Sequence, residues 1–326
     1  MSALLEAEDV VVEYLAGQRV VRALDGVRLT VPKTQERLGI IGESGSGKST
    51  LALTIPRLLP PNARRIAGDL KIDGRSIFAY SQAELRAFRR DELGFVFQNP
   101  MTVLDPTRRV GKQLASVLDK RRSDQSVIFH FQRVGLRQAA LVSRRYPHEL
   151  SGGMAQRVAI AIAIARKPRL IIADEPTSAL DSSIREEILE LLFSLPAETG
   201  ASLLFFSHDL RAVAKHCDRV AVMYAGRIIE LGSGETVFSR PAHPYTEALL
   251  TSAPGAEGPG GRLEPIPGLP PTLSKRSESC AFAPRCPWAA AICISVRPEQ
   301  RIVDGREVLC HRAEEVLDSR LRVAHQ

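Results

Sequence analysis

The chain has 326 residues, 44% hydrophobic and 25% charged, with a formal net charge of +7. This is the make-up of a globular protein with room for two domains, and it excludes disordered and fibrous classes. The longest apolar run, Val158 to Ala165, is eight residues, far short of the roughly 20 that a bilayer span needs. The acidic Glu6 stands where a secretion signal would carry basic residues. The chain is therefore expected in the cytosol, touching a membrane only through a partner. No basic patch interleaved with aromatics stands out, so nucleic acid is not an expected partner. Five cysteines in a cytosolic chain are not expected to form lasting disulfides.

In chain order, Val10–Val12 and Val27–Val31 read as edge strands in a set of short strands forming a small antiparallel sheet. Arg37-Leu38-Gly39-Ile40-Ile41 reads as a buried strand that runs into Gly42-Glu43-Ser44-Gly45-Ser46-Gly47-Lys48-Ser49. That run fits G-x-x-x-x-G-K-[ST], a loop whose backbone N–H groups wrap the phosphates of a nucleotide. Its glycines let the chain turn inward, and a helix starting near Lys48 adds positive potential. Lys48 would reach the outer phosphates, and the Ser49 hydroxyl would ligate Mg²⁺. A chance match has odds on the order of one in a hundred at ordinary glycine usage, so a triphosphate site is expected. Pro56 should end the following helix after about two turns.

Residues 107 to about 149 carry helical patterns such as Val110, Leu114, Val117 and Leu118. Leu150-Ser151-Gly152-Gly153 then opens a further helix through Arg166. Ser151 reads as its N-cap, and Gly152 and Gly153 leave backbone N–H groups accessible to a phosphate. Leu170-Ile171-Ile172-Ala173 reads as a buried strand delivering Asp174 and Glu175 to its C-terminal edge. Beside a phosphate loop, Asp174 is placed to hold Mg²⁺ and Glu175 to face an attacking water. Ser183-Ile184-Arg185-Glu186 resembles a capping box. It opens a helix with Ile184, Ile188, Leu191 and Leu195 on one face, closed by Pro196 and Gly200. Leu203–Phe206 is a strand, and His208 follows it. From Pro254 to Pro271, eleven of eighteen residues are Pro or Gly, so regular structure should stop there.

Taken together, these motifs resemble the ATP-binding subunit of an ABC transporter. Gln98 in Phe95-Val96-Phe97-Gln98-Asn99-Pro100 is similar to that family's Q-loop, and Leu150–Gly153 to its signature. Ser178-Ala179-Leu180-Asp181 is similar to the D-loop, and His208 to the switch histidine. The resemblance implies an α/β P-loop NTPase fold: a nucleotide-binding domain over residues 1–253, with an antiparallel β subdomain and a helical subdomain at about 107–166. It implies that two such subunits, identical or paralogous, sandwich two ATP molecules head to tail. Gly42, Ser44, Gly45, Ser46, Gly47, Lys48, Ser49 and Thr50 of one would face Ser151, Gly152 and Gly153 of the other. Glu175 would polarise the hydrolytic water, and His208 would stabilise charge on the γ-phosphate. Gln98 would touch Mg²⁺ and the water and pass a signal to two permease subunits in the membrane. Tyr14 sits where the family stacks an aromatic on adenine, and it reads equally as a core aromatic. Pro32–Glu36 lacks the glycine usual before the first buried strand of the family.

His243-Pro244-Tyr245, Pro267-Gly268-Leu269-Pro270 and Cys280, Cys286, Cys293 and Cys310 resemble the C-terminal region of the oligopeptide/dipeptide importer subfamily, nickel and metallophore importers included. This implies a small Cys-containing extension over 254–326 and a subunit at the cytoplasmic face of the membrane. It also implies that an extracytoplasmic binding protein delivers peptides or a related solute. The spacing C-x5-C-x6-C-x16-C lacks the close pairs of structural zinc sites. Four thiolates can hold zinc or an iron–sulfur cluster; the resemblance implies [4Fe–4S], with zinc and unliganded thiols left open. Cys217 reads as a small apolar filler. A nickel or metallophore importer is the alternative. A soluble non-transport ABC ATPase fits less well, because the chain has neither a coiled-coil insertion nor a second cassette.

Overall fold

A computed structural model describes residues 3–118, 124–253 and 265–323, with side chains up to residue 319. The Pro/Gly-rich residues 254–264, where the boundary between cassette and extension is expected, lie outside the described residues. The described strands are β1 (Ala3–Ala16), β2 (Arg19–Pro32), β3 (Arg37–Ile41), β4 (Ala63–Ile72), β5 (Arg75–Ser76), β6 (Leu93–Val96), β7 (Leu170–Asp174), β8 (Ser202–Phe206), β9 (Arg219–Tyr224), β10 (Arg227–Ser233), β11 (Arg301–Val303) and β12 (Arg306–Val308). The chain divides into two compact units. One holds Met1–Lys33, Leu38–Ala79 and Ser207–Gln326; the other holds Thr34–Arg37 and Tyr80–Phe206.

In the first unit, an antiparallel sheet has the order β2-β1-β4-β5. The short edge strands expected around Val10 and Val27 are in fact parts of two fourteen-residue strands, and β1 is interior. In β1 the valines Val10–Val12 mark only a consecutively buried stretch, and in β2 Val27–Val31 mark only the alternating C-terminal part. The rest of each strand is partly exposed, and their pairing is broken by register shifts next to Asp9, whose φ is 50°. Beyond this sheet, β3 pairs in parallel with β9, Ile40 opposite Ala221. Leu38, Ile40, Ile41 and Val220–Met223 are fully buried, as a strand covered on both faces requires. From β9 the strands continue antiparallel through β10 and β12 to β11. Residues of the C-terminal extension thus supply the edge of the sheet that contains β3, the strand entering the phosphate loop.

The second unit stacks β6, β7 and β8 in parallel, Phe95 opposite Ile172 and Ile172 opposite Leu204. Between β6 and β7 the described residues form helices and no strand, among them Val110–Val117, Asp124–Arg133 and Gly152–Ile164. The helix expected to open at Ser183 and to be closed by Pro196 and Gly200 runs from Ser182 to Thr199, with Asp181 as N-cap and no side-chain cap bond. Pro196 does not end it. In the last turn its missing N–H forfeits a single bond, and its ring is buried with Leu192 and Leu195. Gly200, at φ 80°, ends the helix by donating its N–H to the Pro196 carbonyl.

The β11–β12 hairpin is fastened by one buried ion pair. Glu230, with no exposed surface, accepts the N–H groups of Ala242 at 2.8 Å and His243 at 3.0 Å and faces Arg306 Nη1 at 3.4 Å. Arg306 also donates to the carbonyls of Thr236 and Arg240 and to Asp304. Burial pushes the Glu230 carboxyl above its usual range, and those donors pull it back. Arg306→Leu should leave a buried, unpaired carboxylate and cost about 3–5 kcal/mol, seen as a lower urea midpoint in equilibrium unfolding.

Candidate functional site

The phosphate loop sits between β3 and the helix Lys48–Thr54, which stops before Pro56 as its sequence requires. Two of its glycines are sterically obligatory. A Cβ on Gly42 (φ 156°) would stand 2.3 Å from the Met223 carbonyl oxygen, and one on Gly47 (φ 107°) 2.6 Å from that of Ala23. Lys48 is buried, and its Nζ lies across the loop, donating to the carbonyls of Gly42 at 2.7 Å and Glu43 at 3.0 Å. The Ser46 N–H and carbonyl are paired with Glu43 and Gly226, but its buried hydroxyl has no hydrogen-bond partner. An orphaned buried hydroxyl, an ammonium and a helix start whose first N–H groups lack intrahelical acceptors make a site short of an oxyanion. These residues fit a triphosphate. Ser44, Gly45 and Ser49 are exposed at its mouth. Tyr14 is half-buried, with its hydroxyl 3.3 Å from Thr50 Oγ1.

His208 belongs to the same unit and is exposed. Its neighbour Ser207 donates its N–H to the Ile40 carbonyl on β3 at 3.1 Å, and the Ser207 hydroxyl accepts from Asp209 N at 2.9 Å. The turn carrying His208 is therefore anchored to the strand that feeds the phosphate loop.

The second unit holds Gln98, Ser151–Gly153, Asp174 and Glu175. Gln98 is exposed just beyond β6, where the fully buried Gln156 donates to the Phe97 carbonyl at 3.3 Å. Ser151 caps its helix by accepting Met154 N–H at 3.3 Å. Ser151 and Gly152 are exposed, while Gly153 packs so tightly that a Cβ would meet Ile184 Cγ2 at 2.6 Å. Asp174 ends β7 almost buried. Glu175 has φ 44°, a left-handed conformation unfavourable for a side chain larger than glycine. Its N–H donates to Phe206 O at 2.9 Å, and its carbonyl accepts both the N–H and the hydroxyl of Ser178. Sequence pattern did not foretell this strained turn; it becomes visible only in the backbone angle.

Sequence reasoning also missed three residues that meet at the loop. Arg285, 242 positions downstream, grips the Glu43 carboxylate with Nη1 at 2.9 Å and Nη2 at 3.1 Å. The Tyr245 hydroxyl accepts the Glu43 N–H at 2.8 Å. Nothing in the spacing of Glu43, Tyr245 and Arg285 announces that they touch.

The four cysteines of the extension line one cavity of about 10 Å³, together with His243 and Phe282. Burial and their mutual repulsion push the thiols of Cys286 up to about 11 and of Cys310 up to about 12. Among the described residues, however, no group of three or more His, Cys, Asp or Glu side chains is arranged to hold a metal ion. The cavity has room for no more than a water-sized group. The expected [4Fe–4S] cluster is therefore not supported by this arrangement. Cys217 is buried under Gly39, as expected of an apolar filler.

The fold and the loop together define an ATP-hydrolysing cassette. Residues 24–178 match the family model for the ABC transporter, and residues 229–293 match that for the oligopeptide/dipeptide transporter, C-terminal region. The chain is 39% identical over 322 residues to the oligopeptide transport ATP-binding protein OppD of Salmonella typhimurium, covering 97% of this chain and 96% of that protein. It is 38% identical over 323 residues to the oligopeptide transport ATP-binding protein AppD of Bacillus subtilis, covering 97% and 98%. Among solved structures, the ATP-binding cassette MJ0796, dimeric and bound to ADP and phosphate in a post-hydrolysis state, superposes with a TM-score of 0.62 at 30% identity, over 70% of this chain and 98% of that one. The chain belongs to the ATP-binding subunits of ABC transporters, in the branch that carries the oligopeptide/dipeptide C-terminal region, and it is an ATPase. Gly42→Ala should force the loop off Met223 and cost about 1–3 kcal/mol, measured as a fall in thermal unfolding midpoint without nucleotide.

Proposed function

We propose that this chain powers the import of oligopeptides or dipeptides by binding and hydrolysing ATP at the cytoplasmic face of a membrane. The observation that carries the reading is the C-terminal region matched at 229–293, joined in one compact unit to an intact phosphate loop. Among the described residues no helix is long and apolar enough to cross a membrane, so passage of the solute falls to separate permease subunits. Met101 and Val103, apolar and exposed just beyond Gln98, suit a permease contact. An extracytoplasmic binding protein would deliver the solute. The nickel or metallophore alternative is not favoured by relatives named for oligopeptide transport.

The site residues take these roles. Lys48 leaves the carbonyls of Gly42 and Glu43 for the β- and γ-phosphates of ATP, while the loop from Gly42 to Thr50 supplies N–H and hydroxyl donors, with Ser44 and Ser46 among them. Ser49, Gln98 and Asp174 would hold Mg²⁺, which when bound neutralises charge on the phosphate oxygens. Glu175 orients the attacking water and accepts its proton as the water oxygen bonds to the γ-phosphorus and the bond to the ADP oxygen breaks. His208 donates to a γ-phosphate oxygen, and Tyr14 lies against adenine. Ser151, Gly152 and Gly153 serve ATP held by a second cassette, in a head-to-tail pair like the dimer named for MJ0796.

Glu175→Gln should keep ATP binding while hydrolysis falls about a hundredfold or more, with a closed dimer accumulating on size exclusion; turnover at the original rate would remove Glu175 as the base. Lys48→Ala should lose ATP affinity in equilibrium titration.

The finer cofactor reading, a [4Fe–4S] cluster on Cys280, Cys286, Cys293 and Cys310, rests on the resemblance of this four-cysteine extension to that of the subfamily, and the cavity the four thiols line would have to widen to admit it. Protein purified without oxygen should then carry iron and acid-labile sulfide, lost in Cys293→Ser. Colourless, iron-free protein would end that reading.

A further inference from the structure

The motifs of the C-terminal extension converge on one residue of the phosphate loop. Glu43 is restrained at three points. Tyr245 of the His-Pro-Tyr motif takes its N–H, Lys48 takes its carbonyl at 3.0 Å, and Arg285 takes its carboxylate through both terminal nitrogens. Arg285 is only 4% exposed and is itself fixed. Its Nε donates to the carbonyl of Pro267 at 2.8 Å, at the head of the Pro-Gly-Leu-Pro motif, and Nη1 donates to the Tyr224 hydroxyl at 3.3 Å. Rings of Tyr224, Tyr245 and Phe282 pack around it, with centroids 4.4 to 5.4 Å apart. His243 starts the helix Pro244–Thr251 by accepting Tyr245 N–H on Nδ1 at 2.9 Å, which aims the tyrosine at the loop.

We propose that Arg285 and Tyr245 are positioning residues for ATP binding, holding Glu43 so that the phosphate loop stays open when Lys48 turns to the nucleotide. The inference rests on the reading of the loop as the ATP site. Of the three restraints on Glu43, the one from Lys48 is given up on binding, because the same ammonium must serve the phosphates. The other two come from outside the loop and persist. A bidentate guanidinium–carboxylate pair fixes direction as well as distance, and lysine cannot reproduce it. A loop without these restraints would populate its open form for only a fraction of the time, and the apparent Kd would rise by the inverse of that fraction. The extension thereby becomes part of the nucleotide site without touching ATP.

The test uses the full chain and ATP itself, titrated by calorimetry, with folding followed by circular dichroism. Arg285→Ala and Glu43→Gln should each raise the Kd for ATP by about five- to twentyfold, the range of ordinary coupling between sites. The double variant should be no worse than the poorer single one, because both remove the same pair. Arg285→Lys should fall between, and Tyr245→Phe should weaken binding with Arg285 in place. An unchanged Kd in folded Arg285→Ala, with only a lower melting temperature, would overturn the proposal by reducing Arg285 to a staple. Fully additive losses in the double variant would overturn it as well. Should Arg285→Ala fail to fold, Glu43→Gln and Tyr245→Phe decide the matter alone. Lys48→Ala is the control: if it binds ATP normally, the assignment of the ATP site fails, and the proposal falls with it. If Lys48→Ala cannot bind but the other variants bind like the original chain, only the proposal falls.

Discussion

The geometry of the loop depends on two strand carbonyls that leave no space for a side chain. Met223 O and Ala23 O press on Gly42 and Gly47, and Gly226 lies under the same pressure, 2.7 Å from Ala23 O had it a Cβ. Gly226 also donates its N–H to Ser46 O and accepts Asp25 N–H. Backbone from β2 and from the β9–β10 turn is thus packed onto the loop at van der Waals range, and this gives the loop its shape before any nucleotide arrives. Lys48 then has little choice of direction. It starts a helix at the inner end of the loop, and its ammonium must pair with the nearest carbonyls, Gly42 and Glu43.

Three guanidinium groups help to fasten the extension. Arg285 pairs with Glu43, Arg297 with Asp25, and Arg306 with Glu230, and all six side chains are largely buried. Apolar packing accompanies them, with Ala242, Val303, Val308, Cys310, Ala313 and Leu317 in one cluster and Phe282 against Tyr224 and Tyr245. Buried ion pairs add little net stability, because desolvation offsets most of the attraction, yet they penalise any misplacement heavily. Such a design specifies where the extension sits more than it strengthens the fold. Composition cannot show this. A net charge of +7 reads the same whether its arginines are solvated or clamped.

Legibility in the sequence followed burial. β3, β7 and β8 are apolar on both faces, so their runs stood out, and their limits came within a residue or two of those observed. The phosphate loop was legible because sterics allow few alternatives at its glycines. β1 and β2 extend beyond their legible parts because β1 shows a buried run only at Val10–Val12 and β2 a clean alternation only at Val27–Val31, while the remainder is partly exposed and bulged. Gly200 closes its helix as its sequence suggests, whereas Pro196, expected to share that role, lies inside the final turn where its missing N–H costs a single bond. The left-handed Glu175 and the Glu43–Arg285 pair were not legible at all. One is a backbone angle imposed by Phe206 O and Ser178, and the other joins residues 242 positions apart.

The phosphate loop and the signature helix differ in what binding asks of them. Ser151 accepts Met154 N–H with a lone pair, and an accepting hydroxyl keeps its own proton to donate outward. Capping therefore leaves that proton for an outside acceptor, such as the phosphate proposed for this site, and Ser151 and Gly152 are already exposed. Lys48 is different, because its ammonium is spent on two carbonyls of its own loop. Hydrogen bonds to charged groups are worth about 1.5–3 kcal/mol each, so in the proposed role breaking both would take up a sizeable share of what the phosphates return. On the roles proposed above, the signature surface is preorganised, whereas the loop must reorganise. Any external contact that keeps Glu43 in place during that exchange lowers its cost, and in this chain such contacts are supplied by the C-terminal extension.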